Sequence, residues 1–266
     1  MTDNVLIAFL LTLFAGLATG IGSAIAFFAS STNKKFLSFA LGLSAGVMVY
    51  VSFVELLNGA QGNLSGLYGE RWGQTFAVAS FFLGICLAAL IDKLVPAREN
   101  PHELRSVEDM QKKPTGKSKL MRTGMITALA ITVHNFPEGM ATFAATLENP
   151  ELGIAIAAAI AIHNIPEGIA VSVPIYYATG SRKKAFLWSF LSGMSEPLGA
   201  LIGFLILMPF MSALLMNIVL AAVAGIMVFI SFDELLPAAR EYGEHHVSIY
   251  GLIAGMAIMA VSLILL

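Results

Sequence analysis

Apolar residues do not alternate along this chain; they run on. Eight nearly continuous stretches lie at about 5–29, 36–58, 73–95, 122–147, 151–178, 184–208, 213–237 and 247–266. Each is close to the ~20 residues that carry a helix across a bilayer. Backbone groups in hydrocarbon must bond within their own segment, so runs of this length predict helices. The connections are short, with one exception. Residues 96–121 are rich in charge and hold Pro101, Pro114 and Gly116, and they read as a solvated loop. Its single His102 reads as a surface residue. The expected fold is all-α and polytopic, with eight transmembrane helices in one domain over 1–266.

Composition sharpens this picture. The 266 residues are 57% hydrophobic and only 12% charged, against about 25% charged in a soluble domain. One cysteine, Cys86, lies inside an apolar run. It excludes an internal disulfide framework and a cysteine metal motif, and it reads as a small packed hydrophobe. Met1-Thr2-Asp3-Asn4 lacks the basic start of a cleavable signal, so the first run reads as a retained helix. Of the 15 Lys and Arg, only Arg71 falls outside loops 1–2, 3–4, 5–6 and 7–8 and their helix ends. Those four loops are therefore expected to be cytoplasmic, with both termini outward, in the cell (inner or plasma) membrane.

The chain also repeats itself. Ala45-Gly46-Val47-Met48-Val49-Tyr50-Val51-Ser52-Phe53-Val54-Glu55-Leu56-Leu57 in the second run matches Ala224-Gly225-Ile226-Met227-Val228-Phe229-Ile230-Ser231-Phe232-Asp233-Glu234-Leu235-Leu236 in the seventh, with nine of thirteen positions identical. The first run matches the sixth more weakly, through Gly16, Gly22 and Phe27 against Gly193, Gly199 and Phe204. Runs five crossings apart point in opposite directions. The pattern is a 3+2+3 inverted repeat about a central pair, which in membranes goes with discontinuous helices and a midplane site.

The central pair carries the chemistry. His134-Asn135-Phe136-Pro137-Glu138-Gly139 recurs as His163-Asn164-Ile165-Pro166-Glu167-Gly168. An ionised carboxylate at mid-membrane costs roughly 2.5–3.5 kcal/mol, which makes such groups functional candidates. Positions three and four apart share a helix face. Glu138 thus lies one turn from His134 and Asn135, and Glu167 one turn from His163 and Asn164. Pro137 and Pro166 have no N–H to give the carbonyls of Val133 and Ile162, which predicts a kinked pair with imidazole, amide and carboxylate turned inward. Glu196, before Pro197, lies at similar depth in the sixth run; its repeat partner in the first is Thr19. Imidazole with carboxylate suits Zn²⁺, Fe²⁺, Co²⁺ and Mn²⁺, and the absence of thiolate argues against Cu(I). Glu55 falls near the outer end of the second run, and Asp233 and Glu234 near the inner end of the seventh. They read either as a carboxylate at each mouth of a path or as ordinary helix ends. Met48 and Met227 read as core packing or path lining. Glu244, His245 and His246 read as solvated, with a weak exit-side acceptor as the alternative.

The doubled motif, the eight runs and the long third loop resemble the ZIP family of divalent-metal transporters over the whole chain, most closely its bacterial zinc-uptake branch. The resemblance implies a binuclear centre between the fourth, fifth and sixth helices. By motif, one site would take His134, Glu138, His163 and Glu167; the other would take Asn135, Glu138, Asn164, Glu167 and Glu196, with both motif glutamates bridging. Met48 matches a place where family members put a side chain near the first metal. Some members have aspartate where this chain has Asn164. The implied function is uptake of divalent ions, Zn²⁺ foremost and also Fe²⁺, Mn²⁺, Co²⁺ and Cd²⁺, by alternating access. Expected partners are these ions and the bilayer, with a homodimer compatible; no organic cofactor and no nucleic acid are expected. Two other classes are the alternatives. An intramembrane metalloenzyme fits poorly, because zinc proteases of that kind carry the glutamate next to the first histidine of HExxH. A passive structural membrane protein predicts no metal-dependent phenotype.

Overall fold

The computed structural model describes residues 2–28, 34–94, 116–207, 212–242 and 245–265. Among the described residues all regular structure is helical. Helix α1 (Thr2–Phe28) is followed by α2 (Lys34–Val51), a π-helical turn (Ser52–Leu57), α3 (Asn58–Tyr68) and α4 (Glu70–Leu94). Next come α5 (Gly116–Glu148), α6 (Pro150–Thr179), α7 (Arg182–Gly193) and α8 (Ser195–Leu207). The chain closes with α9 (Ala213–Ile230), a second π-helical turn (Ser231–Leu235), α10 (Leu236–Tyr242) and α11 (His245–Leu265). Seven stretches are long and apolar enough to cross a membrane: Asn4–Ala24, Ser38–Tyr68, Glu70–Lys93, Pro150–Val173, Arg182–Ile206, Ala213–Leu235 and His246–Ile264. The remaining predicted run is α5, with 33 residues. Its polar hexapeptide sits mid-helix beside Thr127 and Thr132, which dilutes its apolar character. Large apolar side chains such as Leu83, Leu205 and Ile264 stay exposed on the outside of the bundle, as a hydrocarbon solvent permits.

Several boundaries differ from the sequence expectation. The second run does not end at 58. It continues through the Asn- and Gly-rich segment Asn58–Tyr68 and reverses at Gly69, whose φ of 80° suits glycine. Tertiary packing overrides the local composition here. Ala60 and Leu64 bury against Ala77 and Ala221, and the Asn63 amide donates to Asn217 Oδ1 at 3.1 Å. The fourth helix starts at Gly116, inside the segment expected as loop; the rest of that loop, with His102, lies outside the described residues. The kinks expected at Pro137 and Pro166 do not interrupt α5 or α6, which run through both prolines. The interruption falls instead at Met194, between α7 and α8. Pro197 cannot donate to the Gly193 carbonyl, and two hydroxyls take over from the ladder: Ser192 Oγ donates to Ser189 O at 2.7 Å and Ser195 Oγ to Ser192 O at 2.5 Å. Cys86 is exposed rather than packed, on the outer face of α4 with Phe82, Leu83 and Leu90.

The helices fall into two groups. Helices α1, α5, α6, α7 and α8 pack on one another, as do α2, α3, α4, α9, α10 and α11; α2 on α6 and α9 on α5 join them. Glycines set the closest approaches, as is usual where helices pack without a hydrophobic drive. A β-carbon at Gly22 would stand 2.0 Å from Ile165 O, and one at Gly168 2.0 Å from Thr19 O. One repeat later, Gly199 meets Phe136 O at 2.1 Å and Gly139 meets Glu196 O at 2.0 Å. The second group behaves the same way. Gly46 meets Leu252 O and Gly255 meets Leu43 O, while their counterparts Gly225 and Gly84 meet Phe81 O and Ala222 O. Gly16 and Gly193 meet each other's carbonyl oxygens. The two π turns also fall on matched residues, starting at Ser52 and Ser231.

A β-carbon at Gly84 would lie 1.9 Å from the Ala222 carbonyl, whereas Gly59 has nothing within 4 Å. Gly84→Ala is expected to cost about 1–3 kcal/mol through backbone displacement and to lower the unfolding midpoint of the detergent-purified protein. Gly59→Ala, on an open helix face, is expected to hold or raise that midpoint. Thermal unfolding of the two variants beside the parent checks both.

Candidate metal centre

Helix α6 begins at a designed stop in the chain: Asn149 caps it, accepting from the amides of Glu151 and Leu152, and Pro150 opens its first turn. That start fixes the depth of the second hexapeptide. The first sits mid-way along α5, which packs against α6. The interruption at Met194 puts Glu196 in the first turn of α8, where the helix N-terminus favours a carboxylate. Asn135, Glu138, His163, Asn164, Glu167 and Glu196 are all fully buried. Six polar side chains without exposure, in a bundle of apolar helices, require partners from within.

Their partners are specific. His163 Nε2 lies 3.4 Å from Glu138 Oε2, joining the two hexapeptides. Asn164 donates through Nδ2 to Ala15 O at 2.9 Å and to Glu196 Oε1. Asn135 donates through Nδ2 to Ser192 O at 3.3 Å. Ala15 and Ser192 each precede one of the two mutually contacting glycines, so the two amides make the same bond on opposite sides of that contact. Because both acceptors are carbonyls, each amide must present its nitrogen to them, which leaves its oxygen turned away. Glu167 Oε1 accepts from Ser44 Oγ at 3.3 Å, a bond from α2 in the other helix group.

Four acceptors at this centre have no hydrogen-bond partner among the described residues: Asn135 Oδ1, Glu138 Oε1, Asn164 Oδ1 and Glu196 Oε2. A buried acceptor left so costs about 1–3 kcal/mol. These four oxygens accept only, which suits a cation; His163 Nδ1 and the Thr142 hydroxyl beside them also have no hydrogen-bond partner among the described residues. The His134 side chain lies outside the described residues. Among the described residues no three His, Cys, Asp or Glu side chains converge as a metal group; two of the six groups are amides, and the carboxylates are spread over three helices.

The other candidates sit elsewhere. Met48 and Met227 are buried in the main apolar cluster with Ile160 and Ala141. Glu55 lies on the first π turn, Asp233 and Glu234 on the second, all half-buried. Turns of this kind recur at functional sites. His246 is exposed and stacks on Tyr250; Glu244 and the His245 side chain lie outside the described residues. Sequence reasoning passed over Ser44. Its signal was its place one turn before Met48 on the same face of α2. It also passed over the Ala15 and Ser192 carbonyls, which carry no side-chain signal, and Thr142, one turn after Glu138, fully buried with its hydroxyl unpartnered among the described residues.

A sequence model described as ZIP zinc transporter matches residues 4–119 and 97–263. The chain is 62% identical to the zinc transporter ZupT of Clostridium perfringens, over 99% of this chain and 97% of that one. It is 62% identical to ZupT of Oceanobacillus iheyensis over 99% of both, and 59% identical to that of Streptococcus mutans over 100% of this chain and 99% of the other.

Replacing either motif asparagine by leucine removes the donor to a neighbouring helix. Asn135→Leu and Asn164→Leu are each expected to destabilise the purified protein by about 1–3 kcal/mol, read as a lowered denaturation midpoint.

Proposed function

The chain belongs to the ZIP zinc transporter family, a family of transporters rather than enzymes and of multi-pass membrane proteins, and on that premise we propose that it imports divalent transition-metal ions. Zinc is the foremost substrate, the named cargo of its ZupT relatives; Fe²⁺, Mn²⁺, Co²⁺ and Cd²⁺ share the donor set. The observation that carries this reading is the set of four buried, unpartnered oxygens on Asn135, Glu138, Asn164 and Glu196. A divalent cation satisfies all of them. The carboxylates among its ligands also offset its charge, which lowers the cost of holding it in hydrocarbon.

In this proposal the binuclear centre uses His134, Glu138, His163 and Glu167 for one ion and Asn135, Glu138, Asn164, Glu167 and Glu196 for the other. The frame is a single transmembrane domain of eight spans, with α5 as the fourth, arranged as a 3+2+3 inverted repeat. The paired glycine contacts and the matched π turns support that arrangement. Both termini face away from the cytoplasm of the cell membrane, from the 14 Lys and Arg placed on the other side. Alternating access then exposes the centre to the two faces in turn, with Glu55 at the outer mouth and Asp233 and Glu234 at the inner one. A carboxylate at each mouth concentrates divalent cations there. Met48 lines the path one turn beyond Ser44.

Glu138→Ala and Glu167→Ala are each expected to reduce zinc accumulation in intact cells to background at matched expression, because each carboxylate serves both ions. Wild-type accumulation in either variant refutes the assignment. The path itself is checked by Glu55→Cys and Glu234→Cys in a Cys86→Ser background. Position 55 should react with an impermeant thiol reagent from outside only, and 234 from the cytoplasmic side only. Zinc should change the two rates in opposite directions; labelling of both from one side removes the inverted mouths from the scheme.

A further inference from the structure

The two hexapeptide glutamates are not held alike. Glu167 Oε1 accepts from the Ser44 hydroxyl at 3.3 Å, and both residues are fully buried. Glu138 Oε1 has no partner among the described residues. The difference traces to the other helix group. Helix α2 packs on α6 and α9 packs on α5. One residue before the repeated run, α2 carries Ser44 and α9 carries Val223, which is buried and has nothing to donate. The glycine contacts around the pair follow the repeat; this position does not.

We infer that Ser44 is a specificity-determining residue, which ties one oxygen of Glu167 from across the boundary between the helix groups and so favours small ions that take carboxylate through one oxygen. The inference rests on the reading of Glu167 as a metal ligand. At 3.3 Å the bond is long for a hydroxyl on a carboxylate, so it orients the group more than it clamps it. Orientation is what selects. Zinc takes about four ligands, commonly with one oxygen of a carboxylate, whereas manganese prefers six oxygen-rich positions. A carboxylate with one oxygen already accepting a hydroxyl offers a one-point contact. Without the Ser44 hydroxyl one restraint on that oxygen is gone, and the penalty on two-point binding of the larger ion falls. Glu138 has its Oε2 beside His163 Nε2 and its Oε1 unpartnered among the described residues.

The test is uptake of zinc and of manganese into proteoliposomes holding the full-length protein, wild type beside Ser44→Ala, Ser44→Thr, Ser44→Val and Glu167→Ala. Thr and Val have nearly the same shape and differ in the hydroxyl, so that pair decides even where the alanine variant is poorly folded. Loss of the hydroxyl in Ala and Val is expected to lower the zinc-to-manganese ratio of Vmax/KM by about three- to tenfold, the worth of one modest hydrogen bond. Thr should stay within about twofold of the parent on the same scale. A ratio unchanged in Val, or moved equally in Thr and Val, overturns the role of Ser44. Normal zinc uptake by Glu167→Ala would instead remove the metal-ligand reading beneath it, a result distinct from silence at Ser44 alone.

Discussion

The centre depends on one bond made twice: an asparagine amide on a hexapeptide helix donating to a backbone carbonyl of the helix beside it. Asn164 reaches Ala15 O and Asn135 reaches Ser192 O. Each bond turns the amide nitrogen toward the neighbouring backbone and leaves its oxygen inward, while the second N–H of Asn164 goes to Glu196 Oε1. Aspartate in the same place would present a second negative oxygen to a carbonyl, and would have to find its donor elsewhere. In an apolar bundle such choices are decided by what the neighbouring backbone offers, since water is not there to correct them.

That backbone is within reach because the helices approach closely at glycine. Gly16 and Gly193, each next to an accepting carbonyl, meet face to face; Gly22, Gly139, Gly168 and Gly199 hold the flanking helices at similar range. The hydroxyls of Ser23 and Ser189 both bond to Gly168 O, at 3.3 and 3.2 Å. Side-chain hydroxyls thus stitch α1, α6 and α7 together around the second hexapeptide, where burial of apolar surface gives little drive between helices.

Much of this was legible from sequence, and the rest fails for identifiable reasons. Long apolar runs located the helices, and the cost of burying Glu138 and Glu167 singled out the centre. The Ser52 and Ser231 match was visible as a repeat, but not as a pair of π turns, since nothing in either segment forbids an α-helix. Asn58–Tyr68 looked like a loop because glycine and asparagine disfavour helices locally; contacts of Ala60 and Leu64 with a distant segment reverse that preference. Pro137 and Pro166 looked like kinks, yet α5 and α6 run through both, and the break sits at Met194, where the Ser192 and Ser195 hydroxyls bond the carbonyls of Ser189 and Ser192. Ser44 was silent because one serine in an apolar run is common, and only its placement beside Glu167 gives it meaning.

The π turns also bear on how the chain tolerates insertion and deletion. An α-helix advances about 100° per residue, and a π turn accommodates one residue more without lengthening the rod in proportion. In α2 the face bearing Gly42 and Gly46 meets α11, while beyond the turn Ala60 and Leu64 meet α4 and α9. The turn is a phase adjuster between those two docking faces. Dropping a single residue from Ser52–Leu57 would let the ladder close as ordinary helix with α3 near its present phase. A second loss has no such reserve: it would swing α3 by about 100°, and Leu64 would leave its apolar cluster and Asn63 its bond to Asn217. The turn therefore holds the length reserve between the two docking faces, one residue deep.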